Sequence, residues 1–164
     1  MVCIYALGCY PKVARSVPIN YILLGIFCLC QSWMVACVTA FYEPESVLIS
    51  ALITSFMTIG LSIYAITTKT DFTWCVALMW SLCFILIICS ILSCFFYSRW
   101  MVIMISAIVV FIVSIYIIID IQLITGKHAH KYLLDDYVMA AMSLYMDIIR
   151  LFLELLRIFG EVRN

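Results

Sequence analysis

The sequence predicts an all-α, multipass membrane helical bundle of about five spans, and two observations carry that prediction. The chain is 68% hydrophobic and only 11% charged, with a mean hydropathy of +1.23, so it lacks the polar surface that a soluble domain needs. Its apolar residues also fall in unbroken runs without period-two alternation, which excludes a membrane-spanning barrel. Formal net charge is zero, leaving no basic field for nucleic acid and no acidic tail.

Taken in order, residues 1–10 are apolar but too short to span. They lack a basic leading segment and run into Pro11-Lys12 instead of a small-residue cleavage site, so no cleavable signal is expected. A helical span needs about twenty apolar residues, and five segments meet that length: 19–41, 46–66, 72–97, 100–125 and a less hydrophobic 137–159. Short loops join them into a single transmembrane domain over 1–164. The nine cysteines all lie in apolar stretches with no CxxC pair and no neighbouring histidine, and read as small buried hydrophobes. Trp74, Tyr97 and Trp100 near span ends read as interfacial anchors, and Asp135-Asp136 before an apolar run reads as a helix N-terminal cap. His128 and His130, beside Lys127 and Lys131, read as a solvated loop.

Basic residues set the orientation. Lys12, Arg15, Lys69, Lys127 and Lys131 fall on one side and Arg99 and Arg163 on the other, with Glu43 and Glu45 in the first hairpin. The richer side is expected in the cytosol, with residues 126–136; the chain end then falls on the opposite side, or at the cytosolic face if Arg157 and Arg163 hold it there.

Two acidic residues stand inside apolar segments: Asp120 in the fourth and Asp147 in the fifth. Charge in hydrocarbon is costly, so such residues usually face a protein interior and are functional-site candidates. Asp120 lies seven residues before Lys127 and Asp147 eleven after Asp136, which puts them roughly 10 and 16 Å from the same end of neighbouring antiparallel helices. Two carboxylates brought together in a low-dielectric site cannot both ionise easily, so they share a proton and titrate as a unit. Protonated, the pair holds the helices together; ionised, it repels them and offers hard oxygen ligands to a cation such as Ca²⁺. The bland alternative neutralises Asp147 with Arg150 and Asp120 with a hydroxyl or backbone donor.

The fifth segment carries Asp147, Arg150, Glu154 and Arg157 at spacings of three, four and three, one helical face of alternating charge. A lipid-facing stripe of that kind would be prohibitive, so this helix is expected inside the bundle or lining water. The pairs Arg150–Glu154 and Glu154–Arg157 read as structural. No phosphate loop, nucleophile elbow or zinc motif occurs. Neither aspartate follows a glycine, being preceded by Ile119 and Met146, which argues against an intramembrane aspartyl protease. An enzyme is not expected.

The motifs around these residues carry a resemblance. Ile119-Asp120-Ile121-Gln122-Leu123, Asp135-Asp136-Tyr137 and Leu144-Tyr145-Met146-Asp147-Ile148-Ile149, closing at Gly160, resemble the C-terminal signature of the Bax inhibitor motif transmembrane family in its Lifeguard-like branch. Pro18-Ile19-Asn20-Tyr21 and Lys69-Thr70-Asp71-Phe72-Thr73 are similar to that branch as well. The resemblance implies helices three to seven of a seven-helix fold, with an N-terminal truncation. It also implies that Asp120 and Asp147 are a pH sensor gating a Ca²⁺ leak in endoplasmic reticulum or Golgi membranes, in a protein that suppresses apoptosis. No cofactor is implied, Ca²⁺ being the permeant ion. The implied partners are membrane lipids, related transmembrane proteins and apoptosis regulators. The chain departs from the family pattern at Ile119 and Ile121, at Leu133-Leu134, and at Arg150 and Glu154, which replace uncharged positions and are candidate modulators of the pair. An alternative function is a non-conducting interaction protein that modulates full-length relatives or death-pathway proteins, and a third is an inactive truncated isoform.

Overall fold

A computed structural model describes residues 19–68, 84–88, 91, 98–125 and 137–162. The all-α expectation holds: four long helices, α1 (Ile19–Thr39), α2 (Pro44–Thr67), α3 (Arg99–Thr125) and α4 (Tyr137–Phe159), account for nearly all of these residues. They run along four of the five expected apolar segments. The segment 72–97 lies outside the described residues except for 84–88 and 91, which are helical. Residues 1–10, the loop 126–136 with its histidines and the Asp135-Asp136 cap also lie outside them, as do Trp74 and Tyr97. Among the described cysteines, Cys28, Cys30 and Cys37 are free thiols, with Cys28 half-buried and the other two exposed.

Length and composition make α1, α2 and α3 able to cross a membrane, and the protein is an integral membrane protein. Their outward faces are apolar, with Leu29, Trp33, Phe56 and Phe111 all exposed, as a lipid-facing surface requires. Helix α4 differs because its four charged residues interrupt the apolar run. It packs against all three other helices, which shields much of it, in line with the interior placement its charges demand.

Two apolar seams surround α4. On one side Leu151 and Leu155 meet Val113, Ile117, Ile118 and Ile121 of α3 and Ala65 of α2. On the other, Val138 and Met142 pack on Phe27 of α1, where the Tyr145 ring meets Phe27 edge-on at 6.2 Å between centroids. Gln31 of α1 also reaches α4, donating from Nε2 to the Met146 sulfur at 2.8 Å. In lipid the hydrophobic effect adds little to helix association, so these seams hold chiefly by close packing.

One end of the bundle is fastened by backbone. The α1–α2 hairpin meets the segment after α4: Tyr42 and Val162 form an isolated antiparallel bridge, and the Glu43 N–H donates to the Glu161 carbonyl at 3.0 Å. The Glu161 N–H donates in turn to Ser46 Oγ at 3.2 Å, and Arg99, at the start of α3, reaches the Gly160 carbonyl at 3.5 Å. Gly160 is a packing requirement here, because a Cβ would collide with the Leu156 carbonyl and the Tyr42 ring. The hairpin, the start of α3 and the end of α4 therefore share one end of the molecule.

Helix α2 starts two residues ahead of the expected 46 and takes in Glu45: Pro44 enters its first turn after an extended Glu43, and Glu45 complements the dipole. It ends at Thr68, whose N–H caps the Tyr64 carbonyl.

Candidate functional site

The site grows from the α3–α4 seam. Ile117, Ile118 and Ile121 are buried in the cluster with α2 and α4, and Ile119 is buried as well. This end of α3 is enclosed on all sides, so Asp120 is only 7% exposed. Helix α4 runs antiparallel beside it. Ser143 on α4 donates a hydrogen bond to the Asp120 carboxylate, while Asp120 Oδ2 is buried with no hydrogen-bond partner. Asp147 is half-buried one turn beyond Ser143 and within electrostatic range of both Asp120 and Arg150. The two aspartates are thus brought together from separate helices.

Ser143, Asp147, Arg150 and Glu154 follow one another at four, three and four residues, so they share a face of α4. Arg150 is exposed and sits on that face as the cation nearest in sequence to Asp147. Glu154 does not fit the simple ladder of ion pairs expected from spacing. Its Oε2 is buried without a hydrogen-bond partner, while Arg157 is exposed, so neither neighbouring arginine satisfies both carboxylate oxygens. The long arginine side chains extend outward, and the shorter carboxylate stays in the packed interior.

Among the described residues, no group of three or more His, Cys, Asp or Glu side chains stands close enough to cage a metal ion. The Asp120–Asp147 pair offers at most four carboxylate oxygens, so a hard cation here would keep water or take backbone carbonyls. Ser143 was not singled out by its residue type. Its signal was positional: it lies seven residues after Asp136, as Asp120 lies seven before Lys127, so the same depth count sets them level.

Over residues 1–164 the chain matches the family described as Inhibitor of apoptosis-promoting Bax1. It is 30% identical over 159 residues to Protein lifeguard 3 of Homo sapiens, a match covering 94% of this chain and 51% of that protein. Against Protein lifeguard 3 of Mus musculus identity is again 30% over 159 residues, with 94% and 52% covered. Protein lifeguard 4 of Mus musculus is 36% identical over 147 residues, covering 90% of this chain and 60% of that protein. The chain spans about half to three-fifths of the length of these relatives.

Proposed function

Because the chain belongs to the Bax inhibitor family, in its lifeguard branch, we propose that it is a pH-responsive Ca²⁺ leak element, or a regulator of one, that restrains apoptosis from an intracellular membrane. The endoplasmic reticulum and Golgi are the proposed compartments. The observation that carries this reading is the convergence of Asp120 and Asp147 from adjacent helices within electrostatic range, with an oxygen of Asp120 left unpartnered.

In this reading the proton count of the pair sets the distance between α3 and α4. With one of the two carboxyls protonated, the repulsion between them falls and the seam stays closed. With both groups ionised, repulsion parts the helices and the four oxygens draw a cation into the gap. Ser143 holds Asp120 in place through either state, and Arg150 competes with the incoming cation for Asp147. None of these steps is covalent, and the chemistry proposed is gating by charge rather than catalysis.

The reading is tested by reconstituting the purified chain in vesicles that enclose a Ca²⁺ indicator. Flux above that of protein-free vesicles is expected, with loss or strong change in the Asp120→Asn/Asp147→Asn double variant. Absence of flux, with retained co-purification of longer lifeguard proteins, would replace conduction by association with relatives.

A further inference from the structure

Hydroxyl groups in these helices mostly satisfy themselves. Thr54, Ser55, Ser62, Thr67, Ser114 and Thr125 each donate to the carbonyl one turn back, at 2.6–2.8 Å, the usual solution for hydroxyls in apolar helices. Ser50 and Ser106 do not. Both are fully buried, at 0% exposure, and neither Oγ has a hydrogen-bond partner among the described residues.

These two serines point the same way as the packed core. On α2, Ser50 precedes the core-facing Ile53, Met57, Leu61 and Ala65, and on α3 Ser106 precedes Val109, Val110, Val113 and Ile117, all at helical-face spacing. Both therefore occupy the next layer of the α2–α3–α4 interior, toward the fastened end. On α4, Glu154 follows the core residue Leu151 by three residues, which turns it toward the same interior, and its Oε2 is buried with no hydrogen-bond partner among the described residues. Counted from Pro44, Arg99 and Phe159, the three residues lie roughly 9, 10 and 8 Å into the bundle. A third unpartnered hydroxyl, Thr58 Oγ1, is buried two turns further along α2.

We infer that Ser50, Ser106 and Glu154 form a second, low-affinity site for a hard divalent cation, at the hairpin end of the bundle and separate from the aspartate pair. Glu154 supplies the charge and the two hydroxyls supply neutral oxygens, with water or backbone carbonyls completing the shell. One carboxylate and no cage imply weak binding, of the order of 10⁻³ M, which is the range that lets an ion leave as readily as it enters. The inference rests on the leak reading for its purpose, since a conducting path needs more than one station. The site itself is defined without it.

The test uses the full chain in detergent micelles, in the Asp120→Asn/Asp147→Asn background that removes the first pair, with Ca²⁺ alone as the probe. Raising Ca²⁺ from zero to about 10 mM should still lift the thermal unfolding midpoint, because a ligand bound by the native state stabilises it. Adding Glu154→Gln should abolish that lift, and Ser106→Ala should weaken Ca²⁺ binding severalfold. In Ca²⁺-free buffer Ser106→Ala should leave the midpoint unchanged or raise it, because a buried hydroxyl with no partner is a burden to the fold. Should Glu154→Gln not fold, Ser50→Ala and Ser106→Ala decide the question. A lift that survives Glu154→Gln, or no lift in the background variant, would overturn the site. So would Ser106→Ala lowering the Ca²⁺-free midpoint while leaving the lift intact, which is the signature of a hydroxyl bonded within the fold. Ca²⁺ stabilisation without flux would keep the site and reject conduction.

Discussion

Ser143 donates a hydrogen bond from α4 to the Asp120 carboxylate of α3, one helical turn before Asp147 on its own helix. That contact ties the two aspartates into one unit.

Ser143→Ala removes the donor and leaves a buried carboxylate worse satisfied, a loss worth about 1–3 kcal/mol. Thermal or denaturant unfolding in micelles should show the variant destabilised by that order. The pH response of any flux should shift with it, because Asp120 is no longer fixed.

Gly160 fastens the far end. Its missing Cβ makes room for the Tyr42 ring and the Leu156 carbonyl, so Gly160→Ala should destabilise the protein by about 1–3 kcal/mol, as overpacking of a filled site does. The Glu43 N–H, which donates to the Glu161 carbonyl beside it, should exchange its hydrogen faster in the variant than in the parent.

Much of this architecture was legible in the sequence. Runs of apolar residues marked the helices. The three-four-three spacing of Asp147, Arg150, Glu154 and Arg157 showed that the last helix needs shielding. What could not be read was partnership across helices. Ser143 resembles any other small polar residue until the α3–α4 register sets it beside Asp120. Ser50 and Ser106 look no different from Ser55 or Ser114, which bond back to their own helix. Glu154 looked paired because spacing along one helix says nothing of where long arginine side chains go. Such facts depend on rotation and depth in the bundle, which spacing within a helix does not determine.

The fastened end also fixes relative topology. The Glu43 N–H donates to the Glu161 carbonyl and Tyr42 bridges Val162, so accessibility tags near Glu45 and after Val162 should report the same side of the membrane. A tag in the 126–136 loop should report the other side, expected to be the cytosol from the distribution of basic residues. Tags near Glu45 and after Val162 on opposite faces would be incompatible with this end of the bundle.

Arg150 lies three residues after Asp147 and within its electrostatic range. Its positive charge offsets that of the ionised carboxylate and blunts the effect of protonation on the pair. Arg150→Asn should therefore make flux respond more steeply to pH, without preventing membrane insertion. The comparison is made in vesicles carrying equal amounts of parent and variant protein, with internal and external pH varied together.

The central claim is that Asp120 and Asp147 act as one proton-sharing gate, and the most direct measurement is the pH profile of Ca²⁺ flux in vesicles carrying the parent chain, Asp120→Asn or Asp147→Asn. Each asparagine removes one titrating group and breaks the shared proton, so both single variants should show the same flattened profile, and the double variant should add little to either. Parent-like pH dependence in both single variants would contradict the gate and leave the two carboxylates as structural elements of the α3–α4 seam.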